Sequence, residues 1–233
     1  MLRRALIVGA ATLGVVALIG AGGWLYFVTY TPDRTKYPVR GIDVSHHQGV
    51  IDWQKVVADD VSFAIIKATE GGDHVDRKFL SNFLVARSLG IAVGAYHFFT
   101  FCRPAIEQAE NFIRTVPKDD PQLPPVVDIE FGGNCGARPA PDELAAELKI
   151  FTDRVEAEFG QRVMIYLIGD AHEAYASAIP DRKMWVRSLA WPPANNDWTV
   201  WQYHNRGSIR GIEGPVDLNV LQGGPEALAA LLR

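Results

Sequence analysis

Asp128 and Glu130 are the two residues of this chain whose types and spacing most directly suggest chemistry. They end an apolar run, residues 124–131, which is rich in β-branched residues and bounded by prolines and glycines, as a buried strand is. Side chains two apart on a strand face the same side, so both acids project together. Burial and mutual repulsion would raise their pKa values, which is how a general acid is made near neutral pH. The alternative is an acidic strand end that is solvated or paired with arginine.

The pattern of apolar residues predicts the elements that position this pair. Strands are predicted at residues 41–45, 62–68, 91–99, 126–131 and 163–168, each followed by a helical pattern, and three further strands at 184–187, 199–203 and 216–218 have little helix between them. Asp52 and Pro141 mark the starts of two of the helices. Five strand–helix alternations followed by three strands predict an α/β fold, a parallel barrel that is irregular in its second half.

Polar residues end most of these predicted strands. Sites in such barrels lie at the carboxyl ends of the strands. Eight polar residues are expected at that end: Asp43, Glu70, His97, Asp128, Glu130, Arg187, Gln202 and Asp217. Their recurrence on successive strands favours an active site over a chance acidic surface.

Length and composition limit the class of protein. A chain of 233 residues that is 48% apolar can bury the core of one barrel domain. The net charge of −4 and the absence of a run rich in lysine and arginine argue against a nucleic-acid partner.

The N-terminus differs from the rest of the chain. Residues 5–30 contain no charged side chain, and this run exceeds the roughly 20 residues that cross a bilayer. We expect a short cytoplasmic N-terminus (1–4), a membrane anchor or uncleaved signal (5–30), a linker (31–40) and a catalytic barrel (41–233). The alternative is a signal peptide cleaved near the small residues 20–23. The basic residues on both flanks leave the orientation open.

Seven motifs in order along the chain carry a family resemblance. They are Gly-Ile-Asp-Val-Ser-His-His-Gln-Gly (41–49), Ile-Lys-Ala-Thr-Glu-Gly (66–71), Gly-Ala-Tyr-His-Phe (94–98), Val-Asp-Ile-Glu (127–130), Met-Trp-Val-Arg (184–187), Trp-Gln-Tyr (201–203) and Val-Asp-Leu-Asn (216–219). The chain resembles the glycoside hydrolase family 25 lysozymes, the Chalaropsis-type muramidases, from Gly41 to about Gly224. The sequence departs from the family's pattern at residues 188–193, which leaves the sugar subsites open.

The resemblance implies an irregular, TIM-like (β/α)5(β)3 barrel that cleaves the β-1,4 bond between N-acetylmuramic acid and N-acetylglucosamine in peptidoglycan. It implies Glu130 as general acid, with Asp128, Asp43 and Asp217 as supporting carboxylates. Because Asp128 shares a strand with Glu130, we favour attack by the substrate's own acetamido group over attack by Asp128. No cofactor is implied, and we expect a monomer. The alternative from another class is a membrane-tethered protein that binds peptidoglycan without cleaving it.

Aromatic and histidine residues at strand positions have two interpretations each. Core packing is one interpretation of the rings. The functional interpretation is contact with a bound sugar, which we propose for Glu70, Tyr96, His97, Tyr166, Trp185, Arg187, Trp201, Gln202 and Tyr203. His46 and His47 lie near the carboxylates, but adjacent residues on a strand point opposite ways and no metal-ligand spacing is present. We therefore predict no metal.

Cys102 and Cys135 follow the third and fourth predicted strands. Adjacent parallel strands bring the two loops to one rim of a barrel, so we predict a disulfide between them. Two unrelated thiols are the alternative.

Overall fold

The structure is a computed structural model that describes residues 2–118, 121–133, 135–179 and 181–232. The chain divides into two compact units, Met1–Thr31 and Pro32–Arg233. The first unit contains one helix, α1 (Leu2–Thr29), whose 28 residues extend about 42 Å at 1.5 Å per residue. Its segment Thr12–Thr29 has a mean hydropathy of 1.6 and is apolar enough to cross a membrane, a property that a signal sequence shares.

The second unit is a closed barrel. The strands among its described residues are β1 (Arg40–Val44), β2 (Phe63–Glu70), β3 (His74–Val75), β4 (Ala92–Phe98), β5 (Val126–Ile129), β6 (Met164–Leu167), β7 (Met184–Arg187), β8 (Val200–Gly207) and β9 (Val216–Leu221). Eight of them pair in the circular order β1-β2-β4-β5-β6-β7-β8-β9, and β9 returns to β1. The two-residue β3 pairs only with the end of β2.

A helix follows each of the first five barrel strands. They are α2 (Trp53–Val57), α3 (Phe79–Ser88), α4 (Ala105–Thr115), α5 (Pro141–Phe159) and α6 (Gly169–Tyr175), and α7 (Pro225–Leu231) ends the chain. Asp52 caps α2 by accepting from the Lys55 amide, and Pro141 opens α5, as the sequence predicts. In the described residues 181–224 no α-helix separates β7, β8 and β9. The predicted (β/α)5(β)3 order is confirmed.

The direction of the last strand contributes to the irregularity that the sequence predicts for the second half of the barrel. Strands β1 to β8 of the barrel run parallel, whereas β9 is antiparallel to both β8 and β1. The start of β9 therefore lies at the same end of the barrel as the carboxyl ends of its neighbours. Asp217 reaches the mouth from the beginning of its strand, because β9 enters the barrel from that end.

Alternation along the strands produces two apolar layers. One lies inside the barrel and includes Phe63, Ile65, Val126 and Met164. The other lies between the strands and the helices and includes Ile42, Ile66, Val127 and Phe83. The inner layer is tightly packed: a Cβ at Gly41 would lie 2.4 Å from the Phe63 ring, so this position excludes any larger residue.

The segment predicted as a linker, residues 31–40, belongs to the barrel unit from Pro32 onward, so that prediction is wrong for most of its length. Tyr37 and Val39 are buried, and the Val39 carbonyl accepts from the Leu221 amide at 3.0 Å. The Tyr37 ring lies 5.6 Å from the ring of Trp201 and 5.7 Å from that of Trp198. Aromatic burial on the outer face of β8 orders this segment.

Candidate active site

Four carboxylates meet at one end of the barrel. Asp128 projects inward from β5, and Glu130 is the first residue beyond the end of that strand. Asp43 on β1 stands opposite Asp217 on β9 in the antiparallel register. The predicted set Asp43, Asp128, Glu130 and Asp217 is therefore brought together by three strands that are far apart in sequence.

Two chains of hydrogen bonds orient Asp43. Its Oδ2 accepts from Asn219 Nδ2 at 2.7 Å and from Gln202 Nε2 at 3.1 Å. Asn219 Oδ1 in turn accepts from Trp185 Nε1 at 2.8 Å, and Gln202 Oε1 accepts from the Tyr166 hydroxyl at 2.9 Å. Buried aromatic residues below the mouth thus determine where the Asp43 oxygen lies.

Asp43 and Asp217 share a hydrogen bond and differ in proton affinity. Burial raises the pKa of Asp43 to about 6, while hydrogen bonds from Asn219 and Gln202 oppose that rise. Burial, followed by the nearby charge of Asp43, raises the pKa of Asp217 to about 9. At neutral pH Asp217 therefore carries the proton and donates a hydrogen bond to the ionised Asp43.

Asp128 and Glu130 form the second carboxyl pair. Burial, followed by the charge of Glu130, raises the pKa of Asp128 well above its ordinary value. Burial also raises the pKa of Glu130, opposed by the cations Arg187 and Lys67. Asp128 Oδ1 is buried and has no hydrogen-bond partner among the described residues. The raised pKa values favour the protonated form of these carboxyl groups, which is the form that a general acid needs.

A β-bulge in β2 brings Glu70 to the same side of the strand as Lys67. The register between β2 and β4 shifts between Lys67 and Thr69. Lys67 and Glu70 consequently face the same side although they are three residues apart, and Lys67 Nζ lies 2.8 Å from Glu70 Oε2. Lys67 Nζ also lies 4.7 Å from the centre of the Phe98 ring.

Two residues of this site, Lys67 and Asn219, are not among the site residues predicted from the sequence. Each stands two positions from an inward-facing residue, Ile65 and Asp217 respectively, on the same strand. The period-two rule that joined Asp128 to Glu130 would have found both.

Three of the proposed sugar-contacting aromatic residues do lie on the inner side. The Trp185 and Tyr166 ring centres are 4.4 Å apart, and Tyr96 meets Trp185 edge-on at 6.3 Å. Burial, followed by the charges of nearby carboxylates, raises the pKa of Tyr96 and Tyr166, so their hydroxyls remain hydrogen-bond donors. Trp185 is only 2% exposed, so it supports the polar network from below. Arg187 is exposed at the end of β7.

His97 does not face the mouth, which corrects its assignment to sugar contact. It points outward from β4 and is fully buried between the sheet and the helices. Its Nδ1 lies 2.7 Å from Thr69 Oγ1, and its Nε2 lies 3.0 Å from Gln108 Oε1. Burial lowers the pKa of His97 to about 4, so this is a neutral core histidine.

Trp201 and Tyr203 also point away from the mouth. They flank the inward-facing Gln202 on β8, so the pleat directs both to the outer face. Trp201 is completely buried there, and its Nε1 donates to the Ser188 carbonyl at 2.8 Å. The Tyr203 hydroxyl accepts from Arg40 Nη2. Neither ring can contact a sugar bound in the mouth, so their proposed role is wrong.

A disulfide joins two loops at the rim. The sulfurs of Cys102 and Cys135 are 2.07 Å apart, with a Cα–Cα distance of 5.9 Å. The loop that follows β4 is thereby tied to the loop that follows β5, which carries Glu130 at its start.

The arrangement of these carboxyl groups defines a class of protein. A carboxyl group whose pKa is raised by burial, beside other carboxyl groups at the mouth of a barrel, is what acid-catalysed cleavage of a glycosidic bond requires. The fold and the site are those of a barrel glycoside hydrolase.

Comparison with known proteins identifies the family. The profile of "Glycosyl hydrolases family 25" matches residues 42–212. The chain belongs to glycoside hydrolase family 25. It is 34% identical to YegX of Escherichia coli K12 over 90% of this chain and 81% of that protein. It is 33% identical to lysozyme M1 of Streptomyces globisporus, with 83% and 71% covered.

A solved structure supports the same assignment. A family 25 glycosyl hydrolase from Bacillus anthracis superposes with a TM-score of 0.78 at 38% identity, covering 84% of this chain and 94% of that one.

Proposed function

We propose that this protein is a peptidoglycan muramidase, a lysozyme that hydrolyses the β-1,4 bond between N-acetylmuramic acid and N-acetylglucosamine. The observation that carries the proposal is the meeting of Asp43, Asp128, Glu130 and Asp217 at one mouth of a family 25 barrel. Lysozyme M1, a relative over 83% of this chain, is named for the same activity.

Glu130 acts as the general acid. It lies at the strand end, less buried than Asp128, where its carboxyl group can reach a glycosidic oxygen. Burial raises its pKa and so favours the protonated form, and this carboxyl group donates the proton that the leaving oxygen needs when the bond to the sugar carbon breaks. After the leaving group departs, the resulting Glu130 carboxylate accepts a proton from the attacking water.

Asp128 orients the substrate's acetamido group. Its buried, unpartnered Oδ1 is a suitable acceptor for the acetamido N–H. Such a donor favours the ionised form of Asp128, and the negative charge of Asp128 in turn favours the protonated form of Glu130 as the substrate binds. The acetamido carbonyl oxygen then attacks the anomeric carbon, and the ionised Asp43 nearby stabilises the positive charge that develops.

Replacing Glu130 with glutamine tests the assignment. Glu130→Gln keeps the shape of the side chain and removes the transferable proton, so we expect kcat on purified peptidoglycan to fall by about 10²–10⁴-fold with binding retained. Release of reducing ends measures the rate, and mass spectrometry should find N-acetylmuramic acid at every new reducing end.

Glu226→Gln is the matched control. It makes the same glutamate-to-glutamine change in the first turn of α7 and should leave the rate unchanged. Undiminished cleavage by Glu130→Gln would refute the mechanism. A wild-type protein that binds peptidoglycan without cutting it would establish the alternative, a non-catalytic binding protein.

A fluorinated substrate analogue separates the two possible nucleophiles. If the acetamido group attacks, no sugar should become covalently attached to Asp128 during turnover of the analogue, as judged by intact-protein mass spectrometry. A trapped Asp128 adduct would make Asp128 the nucleophile while leaving the hydrolase activity in place.

The catalytic unit acts outside the cytoplasmic membrane, in the periplasm or at the cell surface, with α1 as its anchor. Two features support this location: α1 contains an 18-residue apolar segment, and the barrel carries a disulfide, which persists in oxidising compartments. Cleavage after α1 would instead release a secreted enzyme.

A further inference from the structure

A second cavity lies beside the catalytic mouth, outside the barrel. It has a volume of about 670 Å³ and is lined by the loop that follows β1 and the loop between β8 and β9. Both loops leave the barrel at the end that carries the four carboxylates. Asp43 and Asp217 each stand only a few residues from a cavity wall, at His47 and Glu213 respectively. The volume is in the range of sites that bind small ligands.

Several contacts hold the two walls of this cavity in place. Asp52 N donates to the Gly211 carbonyl at 2.8 Å, and a Cβ at Gly211 would lie 2.3 Å from the Asp52 carbonyl oxygen. Arg210 Nε donates to Asp59 Oδ1 at 2.8 Å, and Gln48 Nε2 donates to the Pro215 carbonyl at 3.3 Å. The cavity is therefore formed before any ligand binds, which lowers the entropic cost of binding.

The lining combines charged, neutral polar and apolar groups, and none of the nine residues is tryptophan, tyrosine or phenylalanine. Glu213 and His47 are exposed on opposite walls. The His47 ring is supported by His46 at 4.1 Å, and His46 Nδ1 lies 2.9 Å from the buried Asp76. Val50, with 81% of its surface exposed, adds an apolar wall. Sugar subsites generally present an aromatic face to the ring, which this cavity does not offer.

We propose that this cavity binds the peptide stem of peptidoglycan, the short peptide attached to the lactyl group of N-acetylmuramic acid. The inference rests on the proposed muramidase function, because that reaction places a stem-bearing sugar at the neighbouring mouth. A stem combines carboxylates, amides, methyl groups and often an ammonium group. Glu213 pairs with an ammonium or amide N–H, the His47 imidazole donates to a carboxylate, and Val50 contacts methyl groups.

The proposal predicts a preference for glycan that carries its peptides. Soluble uncross-linked glycan strands with stems, and the same strands after an amidase has removed the stems, are the two substrates. The full-length wild-type protein should cleave the stem-bearing strands with a KM about five- to tenfold lower, since contacts remote from the bond act on binding in the ground state and the transition state alike.

Glu213→Gln tests the residue that carries the argument. We expect it to raise the KM for stem-bearing strands toward the value for stripped strands, with kcat and all activity on stripped strands unchanged. Glu226→Gln, the same change on α7, should alter neither substrate. Equal wild-type KM values for the two substrates, or an equal effect of Glu213→Gln on both, would overturn the proposal.

A binding measurement keeps the proposal separate from the catalytic assignment. The full-length Glu130→Gln protein is titrated calorimetrically with the disaccharide N-acetylglucosaminyl-N-acetylmuramic acid, with and without a tetrapeptide stem. The stem should lower Kd about tenfold, and Glu213→Gln should abolish that difference. A wild-type protein that cleaves neither substrate would refute the muramidase assignment, whereas a stem without effect on Kd would refute the peptide site.

Discussion

Asp43 and Asp217 show how neighbouring carboxylates of the same residue type acquire opposite roles. Asp43 Oδ2 accepts two amide donors, which stabilise its ionised form despite burial. Asp217 is buried and faces the Asp43 charge, so its pKa is raised to about 9 and it keeps its proton at neutral pH. One proton between the two groups avoids the repulsion of two buried charges, and it leaves one negative charge at a defined place in the mouth.

The pH profile should respond to the exposed cation at the end of β7. Arg187 opposes the burial that raises the pKa of Glu130. Arg187→Gln therefore raises that pKa further, so Glu130 stays protonated to higher pH and the alkaline limb of kcat shifts upward. Rates measured from pH 4 to pH 10 at low ionic strength check this outcome.

Arg114→Gln, a substitution at an exposed position near the end of α4, serves as the control and should leave the limb in place. High salt should shrink the difference between wild type and Arg187→Gln, since an exposed charge is screened. A limb that moves to lower pH in Arg187→Gln would mean that another group governs it.

The sequence could identify the four acids but could not assign every aromatic residue correctly. Asp128 and Glu130 obey the two-residue period of a strand, and the antiparallel β9 still brought Asp217 to the mouth. Trp201, Gln202 and Tyr203 are consecutive on one strand, so the face toward the mouth could carry either Gln202 or its two neighbours, but not all three. Applying the same rule to Tyr96 and His97 would have assigned only one of them to the mouth.

At the scale of elements, the side of the barrel without helices needs another cover. The outer face of β8 carries Trp201 and Tyr203, and rings of Tyr37 and Trp198 pack on it at 5.6–5.9 Å from the Trp201 ring. The segment before β1 therefore covers the outer face of β8, as the helices cover the outer faces of other strands. This explains why a stretch with the composition of a linker is ordered.

Truncating that ring should destabilise the barrel without altering its mouth. Tyr37 is 7% exposed, so Tyr37→Ala is expected to lower the free energy of unfolding by about 3 kcal/mol, as loss of a buried ring does. Urea unfolding followed by tryptophan fluorescence measures the change. Tyr37→Phe, which keeps the ring, should cost less than about 1 kcal/mol.

Retained stability in Tyr37→Ala would show that residues 32–39 contribute little to the fold. The specific activity of the folded variant should match that of the wild type, because Tyr37 packs on the face of β8 opposite to Gln202.

The strand–helix order was predictable because apolar residues recur at helical spacing between the strands, and because Asp52 and Pro141 mark the starts of two helices. Two features were not predictable. The bulge between Lys67 and Thr69 depends on pairing with β4, which no local pattern reports. The direction of β9 depends on the absence of a helix before it, since a loop of eight residues can join antiparallel strands but is short for a parallel crossover.

At the scale of the whole molecule, location is the property to test. If α1 anchors the protein and the barrel lies outside, the full-length chain should remain in the membrane fraction after a carbonate wash. Protease added to intact spheroplasts should degrade the barrel. A soluble form whose N-terminus begins near Gly23 would show that the segment is cleaved, and a barrel protected from external protease would refute the orientation.

The closure of the barrel by its first and last strands has a consequence for the cell that makes the enzyme. The bond between Asp43 and Asn219 joins residues 176 positions apart, and contacts of such separation form late because a long loop must close first. A nascent chain thus holds Asp128 and Glu130 well before it has a complete mouth. Lytic activity must wait until residues 216–221 have been synthesised and folded against β1. Topology alone delays the onset of cell-wall cleavage until β9 has paired with β1.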